Sequence, residues 1–134
     1  MPLVYRAMRR EADNLPTVAQ AANALGVRLG IDIDLDAANN ALVNNKGMSV
    51  APAWSRIPLF RVPKRLGVGG QGSNNTFCFR NGAGAFQQTA FAAGLEFLPD
   101  SPTHGVVRPA QVVPLAQYES DLAATRAAWQ IDEA

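Results

Sequence analysis

An arginine on a short apolar strand, a serine on another and the only histidine are the side chains best placed for chemistry. Arg6 lies in Leu3-Val4-Tyr5-Arg6-Ala7-Met8, Ser49 in Met48-Ser49-Val50, and His104 opens the extended stretch His104–Pro109. A guanidinium among apolar neighbours costs desolvation unless it bridges a carboxylate or meets an anionic ligand. Other motifs fail on context. Gly67-Val68-Gly69-Gly70-Gln71-Gly72 matches a dinucleotide fingerprint by letter, but a proline and two basic residues precede it and no helix follows. Asp32-Ile33-Asp34-Leu35-Asp36 starts like a calcium loop, yet Ala37 and Val43 stand where glycine and glutamate are needed. Cys78, in Thr76-Phe77-Cys78-Phe79-Arg80, reads as a small core hydrophobe. One cysteine and one histidine are too few for a His/Cys metal centre. A serine-protease triad lacks its nucleophile elbow.

The elements that must position these residues are short. Strands are expected at 3–8, 48–50, 76–80, 95–98 and 104–109, with further extended pieces at 31–35 and 111–113. Asn14 and Pro16 suit the start of a helix ended by Gly26, and 86–93 suits a second helix ended by Gly94. After Pro114, the recurrence of Leu115, Tyr118, Leu122 and Trp129 predicts a C-terminal helix. Between 52 and 75, prolines at 52, 58 and 63 and glycines at 67, 69, 70 and 72 forbid long regular structure. That segment is either a surface excursion or a flexible flap with little backbone hydrogen bonding. Scattered strands and few helices predict one α+β domain with mostly antiparallel strands.

The 134 residues are 48% apolar and 17% charged, a composition that supports a packed core. Nothing approaches the roughly 18 consecutive apolar residues of a membrane span, and the charged start lacks the apolar core of a signal peptide. A cytoplasmic site of action is expected, in the producing cell or in a target cell. The net charge of +1 hides an asymmetry: no acidic residue lies between Asp36 and Glu96, where Lys46, Arg56, Arg61, Lys64, Arg65 and Arg80 all fall. Either the basic middle pairs with the acidic ends, or it forms an anion site. Nucleic acid ranks below a single phosphate-bearing ligand, because the chain as a whole is not basic.

Val4-Tyr5-Arg6-Ala7, Gly47-Met48-Ser49-Val50 and Thr103-His104-Gly105-Val106-Val107-Arg108-Pro109-Ala110 occur in that order before a terminal helix. This arrangement resembles a family of small bacterial toxins, delivered by type VI secretion or paired with an antitoxin, whose fold is ADP-ribosyltransferase-like. The resemblance implies that NAD is the cofactor and that an immunity protein or antitoxin is a partner. It implies that Arg6 holds NAD with Tyr5 beside it, and that Ser49 supports the nicotinamide ribose. It also implies a glutamate near a later strand, to stabilise the sugar as nicotinamide leaves. No acidic residue lies between Gly105 and Val113, which leaves Glu96 as the nearest strand carboxylate for that role. His104 would position the adenosine or ribose, or cap its strand. The alternative is a non-enzymatic module whose basic loop engages an acidic protein.

Overall fold

The computed structural model describes all 134 residues. Nine short strands, all paired antiparallel within their sheets, and one α-helix make up an α+β domain. β1 (Val4–Arg9) lies beside β4 (Thr76–Asn81), which pairs on its other edge with β9 (Gln130–Ile131). β3 (Met48–Val50), β7 (His104–Pro109), β6 (Leu95–Ser101) and β5 (Thr89–Ala92) form a second sheet in that order. β2 (Asn40–Ala41) and β8 (Val113–Pro114) make a small ribbon ahead of α1 (Leu115–Ala123). A single antiparallel bridge joins the two larger sheets: Tyr5 N–H donates to Ala51 O at 2.7 Å, and Ala51 N–H donates to Tyr5 O at 2.9 Å.

Strand alternation sorts residues between two cores. Val4 and Met8 enter the main core with Met48, Val50, Phe79, Phe91, Phe97, Val107, Tyr118, Leu122 and Trp129. Ala7, on the other face of β1, packs with Ala51, Ile57, Val62 and Cys78 in a smaller core beneath the 52–75 segment. α1 seals the main core with Leu115, Tyr118 and Leu122. The Tyr118 hydroxyl donates to Val107 O at 2.6 Å and accepts from Met48 N–H at 3.2 Å, so it pins β3 to β7 where those residues face each other. Two glycines of the sequence motifs serve this packing. A Cβ on Gly47 would lie 2.5 Å from Val107 O, and one on Gly105 would lie 2.6 Å from the Phe97 ring.

Several sequence expectations are corrected. No helix forms over 14–25. Asn14 adopts a left-handed φ of 61°, and turns with isolated bridges follow it. Residues 86–93 hold β5 instead of a helix, with Gly94 at φ 77° turning the chain into β6. The 31–35 stretch makes only isolated bridges. α1 ends at Ala123, and Trp129 reaches the core only after a 3-10 turn at Arg126–Ala128. The 52–75 segment is irregular but internally bonded. It contains 3-10 turns at Trp54–Arg56 and Lys64–Leu66, and Gln71 and Gly72 N–H groups donate back to Leu59 and Val62. Ile57 and Val62 are buried, so the segment is anchored by its own apolar residues.

Candidate functional site

A cleft of about 350 Å³ opens where β1 meets β3 at the seam between the sheets. Tyr5, Arg6 and Ala7 come from β1, and Ser49 and Val50 from β3. Thr103 and His104 come from the start of β7, and Arg28 and Asp32 from the turns that replace the expected helix and strand. The 52–75 segment completes the wall with Arg56, Ile57, Pro58, Phe60 and Arg61. Three of the short motifs, far apart in sequence, thus meet in one hollow. Tyr5, Arg6, Ser49 and His104 all line it.

Arg6 is 7% exposed and touches no carboxylate. Its Nε donates to Ala24 O at 3.0 Å, Nη1 to Ser49 O at 2.7 Å, and Nη2 to Gly26 O at 3.2 Å and, at the limit, Ala21 O at 3.5 Å. Four of its five N–H groups are therefore engaged by backbone carbonyls, and one on Nη1 has no protein acceptor. Burial pushes its pKa down to about 10, with Asp32 opposing that shift and Arg61 adding to it. The guanidinium still stays charged at neutral pH. It ties the 21–26 turns to β3.

Asp32 is the one carboxylate in the cleft. Its Oδ2 accepts from Arg28 N–H and Nε, and its Oδ1 from Arg28 Nη2 at 2.9 Å. Burial alone would raise its pKa, but the bonds from Arg28 outweigh burial and hold it below the usual carboxylate range. Ser49 offers its hydroxyl to the cleft while its carbonyl serves Arg6. His104 Nδ1–H donates to the Asp100 carboxylate at 2.7 Å, which orients the ring and leaves Nε2 as the open nitrogen. The Tyr5 hydroxyl donates to Asp132 at 2.9 Å.

Glu96 stands apart from these residues. Its carboxylate accepts from Arg108, with 3.1 Å to Nε, and from Gln88, and it does not line the cleft. In register, Glu96 faces Arg108, four residues along β7 from His104. That separation is roughly 13 Å at the ordinary strand rise. Glu96, the nearest strand carboxylate for the role that the resemblance implies, is not among the residues that meet in the cleft with Arg6 and Ser49. Cys78 is fully buried, and burial, with Glu133 next in effect, pushes its thiol up to about 12.

The pairing of the basic middle with carboxylates holds in part. Lys46 pairs with Asp34, Arg65 with Glu133 and Arg80 with Asp132. Arg56, Arg61 and Lys64 take part in no ion pair. Two of those three, Arg56 and Arg61, line the cleft, where four arginines face one carboxylate. Sequence reading missed Arg28 and Asp32 as cleft residues, and named Arg56 and Arg61 only among the basic residues of the alternative anion site. The run of basic residues without acidic neighbours was the signal for the latter two. Comparison of the chain with protein-family models, curated proteins and solved structures finds no match.

Proposed function

We propose that this cleft binds NAD and that the chain is an ADP-ribosyltransferase-like toxin acting inside cells. The observation that carries the reading is the convergence of Tyr5, Arg6, Ser49 and His104 on one basic cleft. The donor set fits the ligand: cationic walls suit a diphosphate, and the Ser49 hydroxyl and His104 Nε2 suit ribose hydroxyls. NAD would supply a glycosidic C–N bond whose cleavage leaves positive charge on the sugar. Among cleft residues only Asp32 carries the opposite charge to meet it, and Arg28 keeps that carboxylate ionised and fixed. Arg6 acts chiefly as the frame that holds β3 and the 21–26 turns in place.

A second reading has its own observation. Leu59 and Phe60 are exposed on the 52–75 segment beside the unpaired Arg56 and Lys64. Such a surface suits an acidic protein partner, for example an immunity protein or antitoxin.

Expression of the chain, NAD titration and nicotinamide release together test the proposal. The wild type should arrest growth and bind NAD. Ser49→Ala should weaken NAD binding roughly two- to tenfold, the value of one neutral hydrogen bond. His104→Gln should also weaken it, and a folded Glu96→Gln should leave it unchanged. Harmless expression without NAD binding would leave the binding module as the better reading.

A further inference from the structure

We propose that Arg56 and Arg61 form the anion grip of the cleft, that they hold the diphosphate of a nucleotide, and that Phe60 packs against its base. The proposal rests on the NAD reading of the same cleft and assigns its phosphate contacts to residues other than Arg6. Those contacts follow from which cations are free. Arg6 spends four N–H groups on carbonyls, and Arg28 is bidentate on Asp32. Arg65 is bidentate on Glu133, and Lys64 lies outside the cleft. Arg56 and Arg61 remain, with no ion pair and no side-chain hydrogen bond within the chain, and both face the hollow.

Arg61 is in an uneasy position. It is half-buried, and burial followed by repulsion from Arg28 lowers its pKa; it in turn lowers that of Arg6. A partly desolvated guanidinium near two like charges gains when an anion arrives, because the anion satisfies its fork and screens its neighbours. Three of the four cleft arginines thus feel one another. A compact, multiply charged group answers that geometry better than a single carboxylate. Phe60 is 61% exposed at the same wall, and the Arg61 guanidinium sits 4.9 Å from its ring centroid. An exposed aromatic ring with the Arg61 guanidinium against it, and Arg56 lining the same cleft, offers stacking for a base near donors for its phosphates.

The test uses the full chain titrated with ADP, adenosine, inorganic pyrophosphate and NAD, by calorimetry or amide chemical shifts. Arg56→Gln and Arg61→Gln remove no hydrogen bond or ion pair inside the protein, and Arg61→Gln loses only its contact with the exposed Phe60 ring, so melting curves should stay close to the wild type. Each should weaken ADP and pyrophosphate roughly ten- to hundredfold, the range for a charged hydrogen bond, and leave adenosine unchanged. Arg61→Lys keeps the charge without the fork and should lie between. Phe60→Ala should weaken ADP and adenosine but not pyrophosphate. Undiminished ADP binding in the Arg56→Gln/Arg61→Gln double variant would overturn the grip, even if NAD binds. Failure of the wild type to bind ADP and pyrophosphate would overturn it too. ADP binding lost in the arginine variants, with NAD neither bound nor cleaved by the wild type, would uphold the grip and remove the NAD reading.

Discussion

Replacing Arg6 by alanine should damage the fold before it damages any ligand contact. Three well-formed charged hydrogen bonds, to Ala24, Ser49 and Gly26 carbonyls, disappear together. Ala24 and Gly26 are buried, so their carbonyls lose a donor where water enters poorly. An unsatisfied buried acceptor costs about 1–3 kcal/mol. Removing the charge itself returns part of its desolvation cost, which lowers the sum. A net loss of about 3–5 kcal/mol is expected, in the range seen when one side of a buried charged contact is deleted. Domains of this size hold about 5–15 kcal/mol in total, so the variant would fold marginally. The melting temperature should fall by roughly 10–20 °C, at about 3–4 °C per kcal/mol. Arg6→Lys should recover only part, because one ammonium cannot span carbonyls on two sides of a planar fork. Urea unfolding followed by circular dichroism measures both. A loss below about 1 kcal/mol, less than one charged hydrogen bond, would refute the clamp and return Arg6 to the role of a ligand contact.

Cys78 should resist thiol reagents in the native protein, since with a thiol at about 12 the thiolate is about one part in ten thousand at pH 8; labelling should appear with unfolding in urea, and rapid labelling of the folded chain would contradict the burial. Acid should destabilise the protein through Asp32 among others. Its pKa is depressed in the folded state, so its stabilisation is full above the unfolded carboxylate value near 4 and is lost as pH falls through the folded value. Asp32→Asn should therefore show a shallower loss of urea stability below about pH 4, and an unchanged acid slope would count against the Arg28 bond.

Much of the sheet was legible because apolar patterning shows on the page. β1, β3 and β6 fall where apolar residues alternate over a short range, β4 and β7 on short runs of consecutive apolar residues, and α1 starts after Pro114 as its spacing predicts. The missed helix at 14–25 has a physical cause. The backbone there bonds to β1 and to itself in loops: Arg9 N–H donates to Asn23 O, Thr17 N–H to Arg9 O and Leu25 N–H to Thr17 O. Alanine-rich propensity gave way to pairing with another strand. Gly94 misled for a simpler reason, since a left-handed glycine ends a helix and turns a hairpin equally well. The cleft was half legible. Arg6, Ser49 and His104 stood out, but which arginines stay unpaired depends on carboxylates delivered by the chain's far end. Asp132 and Glu133 take Arg80 and Arg65, and nothing in the local sequence says so.

That far end also fastens the segment that walls the cleft. Tyr5 meets Asp132, Arg65 meets Glu133 and the Trp54 indole N–H donates to Ala134 O at 3.0 Å. Contacts between residues so distant along the chain carry a large closure entropy and form late. The cleft therefore belongs to the finished fold alone. Fragments and early collapsed states would lack it, and any ligand of the cleft would bind the native state selectively. Such a ligand raises stability by mass action, about 2.7 kcal/mol at a hundredfold excess over Kd, so thermal shift doubles as a screen for what the cleft holds.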